Sequence, residues 1–252
     1  MKAARGRRGL VAAARLVARA NVVLGAALVL GAALAAGGAG GAAATSVAAA
    51  DRPYGLPFAE PSSLATWTIS QPYGNTVYAF FERNQIYRSG QGLHMGLDLA
   101  CACGTTVRAI ADGTVLSVDG QGGAPPHNLM IDHGDGYVSF YGHLLEHAPV
   151  SVGQHVARGE AVALSGDMYG TCYSSPHLHL EIRDRSLARL YNPVQFIDAD
   201  WHSLLLIGSK PQSYERDLSD PRRWQSFDDQ PPIDLGGRLL NDFDQPYPND
   251  ES

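Results

Sequence analysis

The sequence predicts a mainly β, compact antiparallel fold of the sandwich or barrel type, and three observations carry that expectation. Glycine (28 residues) and proline (15) are frequent while charged residues make up only 17% of the 252, a composition better suited to a turn-rich β domain than to a helical bundle. From about Trp67 to Ile197 the apolar residues fall into short runs punctuated by glycine, and no stretch there keeps a long helical period. The runs are spaced as successive strands of a sandwich or barrel would be. In order they are Thr105–Ile110, Gly113–Val118, Asn128–Asp132, Tyr137–His143, His155–Ala157, Glu160–Ser165 and Pro176–Ile182. Ile131 to Val138 is the clearest hairpin, with Gly134 and Gly136 supplying the positive φ of a tight turn. Val152 to Ala161 reads as a second strand-turn-strand unit.

The flanks differ in kind, giving four segments: residues 1–50, 51–66, 67–200 and 201–252. The first holds six basic residues and no acid, followed by an uncharged run from Ala20 to Ala50 whose apolar centre is Val22 to Leu34. This pattern reads as a signal peptide, with Ser46-Val47-Ala48 as a small-x-small cleavage site; an uncleaved membrane anchor is the alternative. Either form predicts a folded part outside the cytoplasm: secreted, in the cell wall or periplasmic. Pro53, Pro57 and Pro61 make residues 51–66 an extended lead-in. After Trp201, Lys210 to Ser252 contains ten acids, five bases and six prolines, a mix expected to bury little and to be partly ordered. Without residues 1–50 the formal charge falls from -6 to -12, which argues against a nucleic-acid partner.

Five side chains concentrate the chemistry: His94 and Asp98 in His-Met-Gly-Leu-Asp, His143, and the pair His177 and His179 in His-Leu-His. Imidazole and carboxylate are the donors of a zinc site that keeps one position for water, and a water of lowered pKa points to hydrolysis. Two further histidines can move the protons that hydrolysis requires. His177 and His179 lie two apart, so a strand projects both from one face while Leu178, Leu180 and Ile182 turn to the core. His94 and Asp98 would stand about 13 Å apart on a fully extended strand, too far to share an ion, so the chain must bend between them. Gly96 is the residue that allows a kink. Of the three cysteines, Cys172 can pair with Cys101 or Cys103 and leave an odd thiol, or thiolate can ligate the metal.

Taken together, His94-x-Gly96-Leu97-Asp98, Tyr141-Gly142-His143-Leu144 and Pro176-His177-Leu178-His179-Leu180-Glu181 resemble, in that order, the motifs of lysostaphin-type (LytM-like) zinc metallopeptidases. The resemblance runs through Gly153-Gln154-x-Val156-x-x-Gly159-Glu160 to Asn192-Pro193 and covers roughly residues 70–197. It implies a β fold of the duplicated hybrid motif type and a metalloendopeptidase with one zinc per chain, cutting peptide bonds in peptidoglycan stem or cross-bridge peptides; a monomer is expected. Carried over by position, His94, Asp98 and His179 would bind zinc, and His143 and His177 would act in proton transfer and transition-state stabilisation. Tyr87 is the nearest match to a tyrosine that family members often carry before the first ligand. Cys101-Ala102-Cys103 departs from the family pattern. The alternative function is a non-catalytic regulator of a cell-wall hydrolase built on the same fold. His127, His133, His147, His155 and His202 lie outside the shared motifs and are not expected to bind the essential zinc.

Overall fold

Alternating sequence becomes an antiparallel sheet in the computed structural model, which describes residues 52–208, 214–220 and 222–243. The segment expected as signal peptide or anchor lies outside the described residues. Among those described, no helix is long and apolar enough to cross a membrane. In chain order the strands are β1 (Trp67–Gln71), β2 (Leu97–Cys101), β3 (Thr106–Arg108), β4 (Gly113–Val118), β5 (His127–Asp132) and β6 (Tyr137–Leu144). There follow β7 (His155–Val156), β8 (Ala161–Leu164), β9 (His177–Asp184), β10 (Arg189–Tyr191) and β11 (Ile233–Asp234). Two one-turn helices, α1 (Val77–Phe81) and α2 (Trp201–Leu205), are capped by the side chains of Thr76 and Asp200.

The large sheet runs β1-β2-β9-β6-β5-β4-β7, with β10 on β9 and β11 on β10; β3 and β8 form a separate pair. These strand pairings are all antiparallel, as the short runs and tight turns predict. β9 is the organising strand. β6 follows one edge from Glu181's neighbours outward, while β2 and β10 share the other, β2 against Leu180–His177 and β10 against Arg183 and Ile182. Leu178, Leu180 and Ile182 are fully buried in the main core with Leu97, Leu99, Leu129, Ile131 and Tyr141.

The β5–β6 hairpin forms as expected, with φ of 78° at Gly134 and 103° at Gly136. The second strand-turn-strand unit is also present, as β7, a turn at Arg158-Gly159 and β8, but its two strands do not pair with each other: β7 pairs with β4 and β8 with β3, so Gly159 turns the chain from one sheet to the other. The lead-in is extended, and it contributes Tyr54 and Phe58 to the core.

The carboxy-terminal segment buries a few of its residues against the rest of the chain. Ile233 and Asn241 are fully buried, and Ile233 joins Tyr73, Leu93 and Leu190 in a second apolar cluster. Asn241 donates through Nδ2 to the Gly92 carbonyl (2.7 Å), and Gln230 accepts from the Asn75 amide (2.7 Å). Few apolar residues suffice because the segment is tied by side-chain amides to backbone groups rather than by its own core.

The sequence left the cysteine pairing open; Cys103 bonds Cys172, and Cys101 stays a buried thiol. The bridge spans a sequence separation of 69, for which the chain-entropy account gives at most about 4 kcal/mol. Cys172→Ala is therefore expected to lower unfolding stability by about 2–4 kcal/mol, measured from denaturant midpoints. Reductant should lower the wild type by a similar amount and leave the variant unchanged.

Candidate metal centre

The bend required between His94 and Asp98 falls before β2. His94 lies in an isolated bridge with Gly74, its amide donating to the Gly74 carbonyl (2.8 Å) and the Gly74 amide donating back (2.9 Å). Gly96 serves by close approach: a Cβ there would stand 2.7 Å from both His179 Cε1 and the Leu180 carbonyl oxygen. The result brings His94 Nε2 to 3.2 Å from Asp98 Oδ1.

Register supplies the third group. Asp98 of β2 faces His179 of β9, and His179 Nδ1 approaches Asp98 Oδ1 at 2.7 Å. The donor atoms of His94, Asp98 and His179 all lie within 4.8 Å of one another, and all three residues are buried. Two nitrogens and a carboxylate oxygen at this spacing fit a tetrahedral ion, whose ligands about 2.1 Å from the metal stand about 3.4 Å apart.

His143 reaches the same place against strand alternation. Its neighbour Gly142 is the residue opposite His179, so regular pleating would turn His143 to the other face. A left-handed φ of 55° at His143 breaks the alternation and sets its ring 4.8 Å from that of His177 and 5.8 Å from that of His179. His177 Nε2 is 3.9 Å from Asp98 Oδ2. The five residues singled out in the sequence thus converge. Tyr87 is also at hand, its ring centre 5.6 Å from that of His94 in an edge-on arrangement and its hydroxyl donating to Gln71 Oε1 (3.1 Å).

Backbone carbonyls fix three of the imidazoles. Nδ1 of His94 donates to Pro72 (2.8 Å), that of His143 to Pro125 (2.6 Å) and that of His177 to Ser175 (2.7 Å). A carbonyl only accepts, so each Nδ1 carries the hydrogen and each Nε2 keeps a lone pair. His179 is held differently: Nε2 meets Glu181 Oε1 at 2.9 Å, and Glu181 in turn pairs with Arg183. Arg183 also donates to the Gly122 carbonyl (2.9 Å) and lies 4.5 Å over the Phe140 ring. Sequence reasoning assigned no role to Glu181 or Arg183. Their signal was present, since residues 177, 179, 181 and 183 are polar at every second position of one strand.

The charges follow from these contacts. Burial alone would raise the Asp98 carboxyl, but the His94 charge and hydrogen bonds from His179 and His94 outweigh it and hold it well below the ordinary range. Burial opposes charge on His179 too, yet its bonds to Asp98 and Glu181 raise it to about 10. His143 goes the other way: burial first, then the charge of His179, depress it to about 4 despite the bond to Pro125.

Two loops wall the site. Residues 119–127 present the Pro125 and Ala124 carbonyls to the side chain and amide of His143. Residues 167–175 wrap the buried Asp167 carboxylate, which accepts from the amides of Tyr169, Thr171 and Ser174 and from the Thr171 hydroxyl. Cys172 ties that loop to Cys103 beside β2.

Against protein families, residues 92–193 match the model of peptidase family M23. That span contains every residue of the cluster. Over that span the chain is similar to an M23 peptidase domain. An uncharacterized metalloprotease of Haemophilus influenzae is 40% identical over 101 residues, 40% of this chain and 20% of that protein. The murein hydrolase activator EnvC of Escherichia coli is 34% identical over 51% of this chain and 28% of its own length. The DD-carboxypeptidase/endopeptidase Mpg of Neisseria meningitidis is 32% identical over 46% and 24% respectively. The chain therefore spans only 20–28% of the length of these three relatives. Among solved structures, a zinc containing peptidase from Vibrio cholerae is 26% identical, covering 60% of this chain and 40% of that one at a TM-score of 0.42.

Two outcomes follow from this geometry. Glu181→Ala leaves the Arg183 guanidinium buried without its carboxylate and is expected to cost about 3–5 kcal/mol in denaturant unfolding. His143, at about 4 when folded against about 6.5 unfolded, makes the unfolded chain bind more protons between those values. In metal-free protein its contribution is complete above pH 6.5 and shrinks as pH falls toward about 4, by up to about 3 kcal/mol. Unfolding curves of wild type and His143→Ala across that window should diverge accordingly.

Proposed function

We propose that the chain is a zinc-dependent metalloendopeptidase hydrolysing peptide bonds in peptidoglycan stem or cross-bridge peptides, and that it works outside the cytoplasm. The observation that carries this reading is the convergence of His94, Asp98 and His179 on one buried point with His143 and His177 alongside. Membership of residues 92–193 in peptidase family M23 and the endopeptidase named among the relatives support the wall substrate. The basic and then apolar segment at residues 1–50 supports export.

In this reading His94 Nε2, Asp98 Oδ1 and His179 Nδ1 would hold zinc. When bound, zinc supplies Lewis acidity, polarising the scissile carbonyl and bringing the pKa of water toward neutrality. The chain's own groups do the rest. Asp98 stays ionised and buried, so charge opposite a cation is available without prior deprotonation. Glu181 holds the His179 ring with Nδ1 turned inward. His143 is kept neutral, so its Nε2 accepts the proton from attacking water. The proton taken by His143 passes on to the departing amine, while His177 faces it across the site and, with a proton on Nε2 as well as Nδ1, would donate to the oxyanion. The Pro125 and Ser175 carbonyls keep both rings aimed while the proton moves.

A second reading, a non-catalytic regulator of a wall hydrolase, is favoured by the activator EnvC among the relatives. The complete set of five side chains supports the enzyme instead. His143→Ala and His177→Ala are each expected to keep the metal and lose about 10²–10⁴-fold in turnover of purified peptidoglycan, followed by release of soluble fragments. His94→Ala should lose both metal and turnover, as should wild type with a chelator. Cleavage by zinc-free His94→Ala would sink the reading. Stoichiometric zinc without any turnover by wild type would favour the regulator.

A further inference from the structure

The geometry points to a second divalent-metal site on this domain, formed by Asp119, His127 and His147 and taking a zinc-class ion. The three come from the same end of three neighbouring strands. Asp119 directly follows β4, His127 opens β5, and His147 follows β6, whose Leu144 pairs with His127. Nδ1 of His127 and Nδ1 of His147 both aim at one oxygen, Asp119 Oδ2, at 2.9 and 2.8 Å. All three donor atoms lie within 4.8 Å of one another.

Two features separate this cluster from a chance surface contact. The carboxylate is preset: Asp119 holds a left-handed φ of 52°, its amide donates to the Asn128 carbonyl (2.8 Å), and its Oδ1 accepts from the Asn128 amide (3.2 Å). Oδ1 is thus occupied by the backbone and Oδ2 is left for the imidazoles, the arrangement of a ligand held by its outer shell. Two imidazoles also share one carboxylate oxygen, and exposed contacts of that kind repay little of the freedom lost in fixing three side chains. An ion repays it, since neutral imidazole nitrogens and a carboxylate oxygen are zinc-class donors, and widening the contacts from hydrogen-bond length to about 3.4 Å makes room for it. The partial exposure of all three leaves further coordination positions to water.

The position gives the ion a role. Asp119 and His127 are the two ends of the loop whose Pro125 and Ala124 carbonyls hold His143. Joining both ends to His147 closes that loop at its base. The site is independent of the cluster around Asp98 and does not rest on the proposed peptidase activity.

The test counts ions on the full chain. Protein stripped by chelation is equilibrated with zinc, freed of excess, and its bound metal measured against protein for wild type, His147→Ala, His127→Ala and Asp98→Ala. Two equivalents are expected in wild type and one in each variant. Zinc should also slow amide exchange at residues 120–124 in wild type and in Asp98→Ala, and leave it unchanged in His147→Ala. His147 is largely exposed, so its replacement leaves the fold intact, and unfolding midpoints check this. Equal zinc content in wild type, His127→Ala and His147→Ala overturns the site. Failure of the Asp98 cluster instead gives one equivalent in wild type and in Asp98→Ala and none in His147→Ala, so the two failures are told apart.

Discussion

Asp98 and His179 face each other across the β2–β9 pairing, and a slip of one residue there would turn both toward the apolar core. The register is held by what lies on the other face. Leu97, Leu99, Leu178, Leu180 and Ile182 are fully buried, and any slip would exchange them for His177, His179, Glu181 and Arg183. A hydrophobic pattern with a period of two therefore fixes a polar constellation with the same period. Along β9 that constellation runs in order: His177, His179, the carboxylate that orients it, and the guanidinium that balances the carboxylate. The site is a by-product of correct sheet assembly, which is why so few residues outside β2 and β9 are needed to shape its centre.

What the sequence made legible is what alternation encodes. The seven expected strands appear with ends shifted by one or two residues or more, and the direction of His177 and His179 follows from the same period. The five site residues were found through their ordered motifs. The bend before β2 was required by distance alone. The reason a glycine stands there, the close approach of the His179 ring, needed coordinates because it depends on a strand more than 80 residues away. His143 is the instructive case: regular pleating argues against it, and only its left-handed backbone brings it into the site. The partners of β7 and β8 were illegible for a related reason, since pairing is a long-range choice that a strong local turn does not reveal.

Composition does not show how residues after Trp201 attach. A proline-rich acidic stretch cannot build a core, yet it can be built onto one. Ile233 enters an existing apolar cluster, while Gln230 and Asn241 meet backbone groups near Gly74 and Gly92. The segment leans on the chain just before His94, whose backbone is held by an isolated bridge with Gly74.

That arrangement bears on where the molecule can be divided. The span recognisable as M23, residues 92–193, begins two residues before His94 and omits Pro72, Gly74, Tyr87 and Ile233. Cutting the gene at those borders would remove the carbonyl that sets the His94 tautomer and the whole surface on which that histidine rests. The stretch detectable by likeness is thus smaller than the stretch that packs around it, and grafting or recombinant excision that follows the wrapping, from the Pro53 lead-in to Asn241, keeps those contacts.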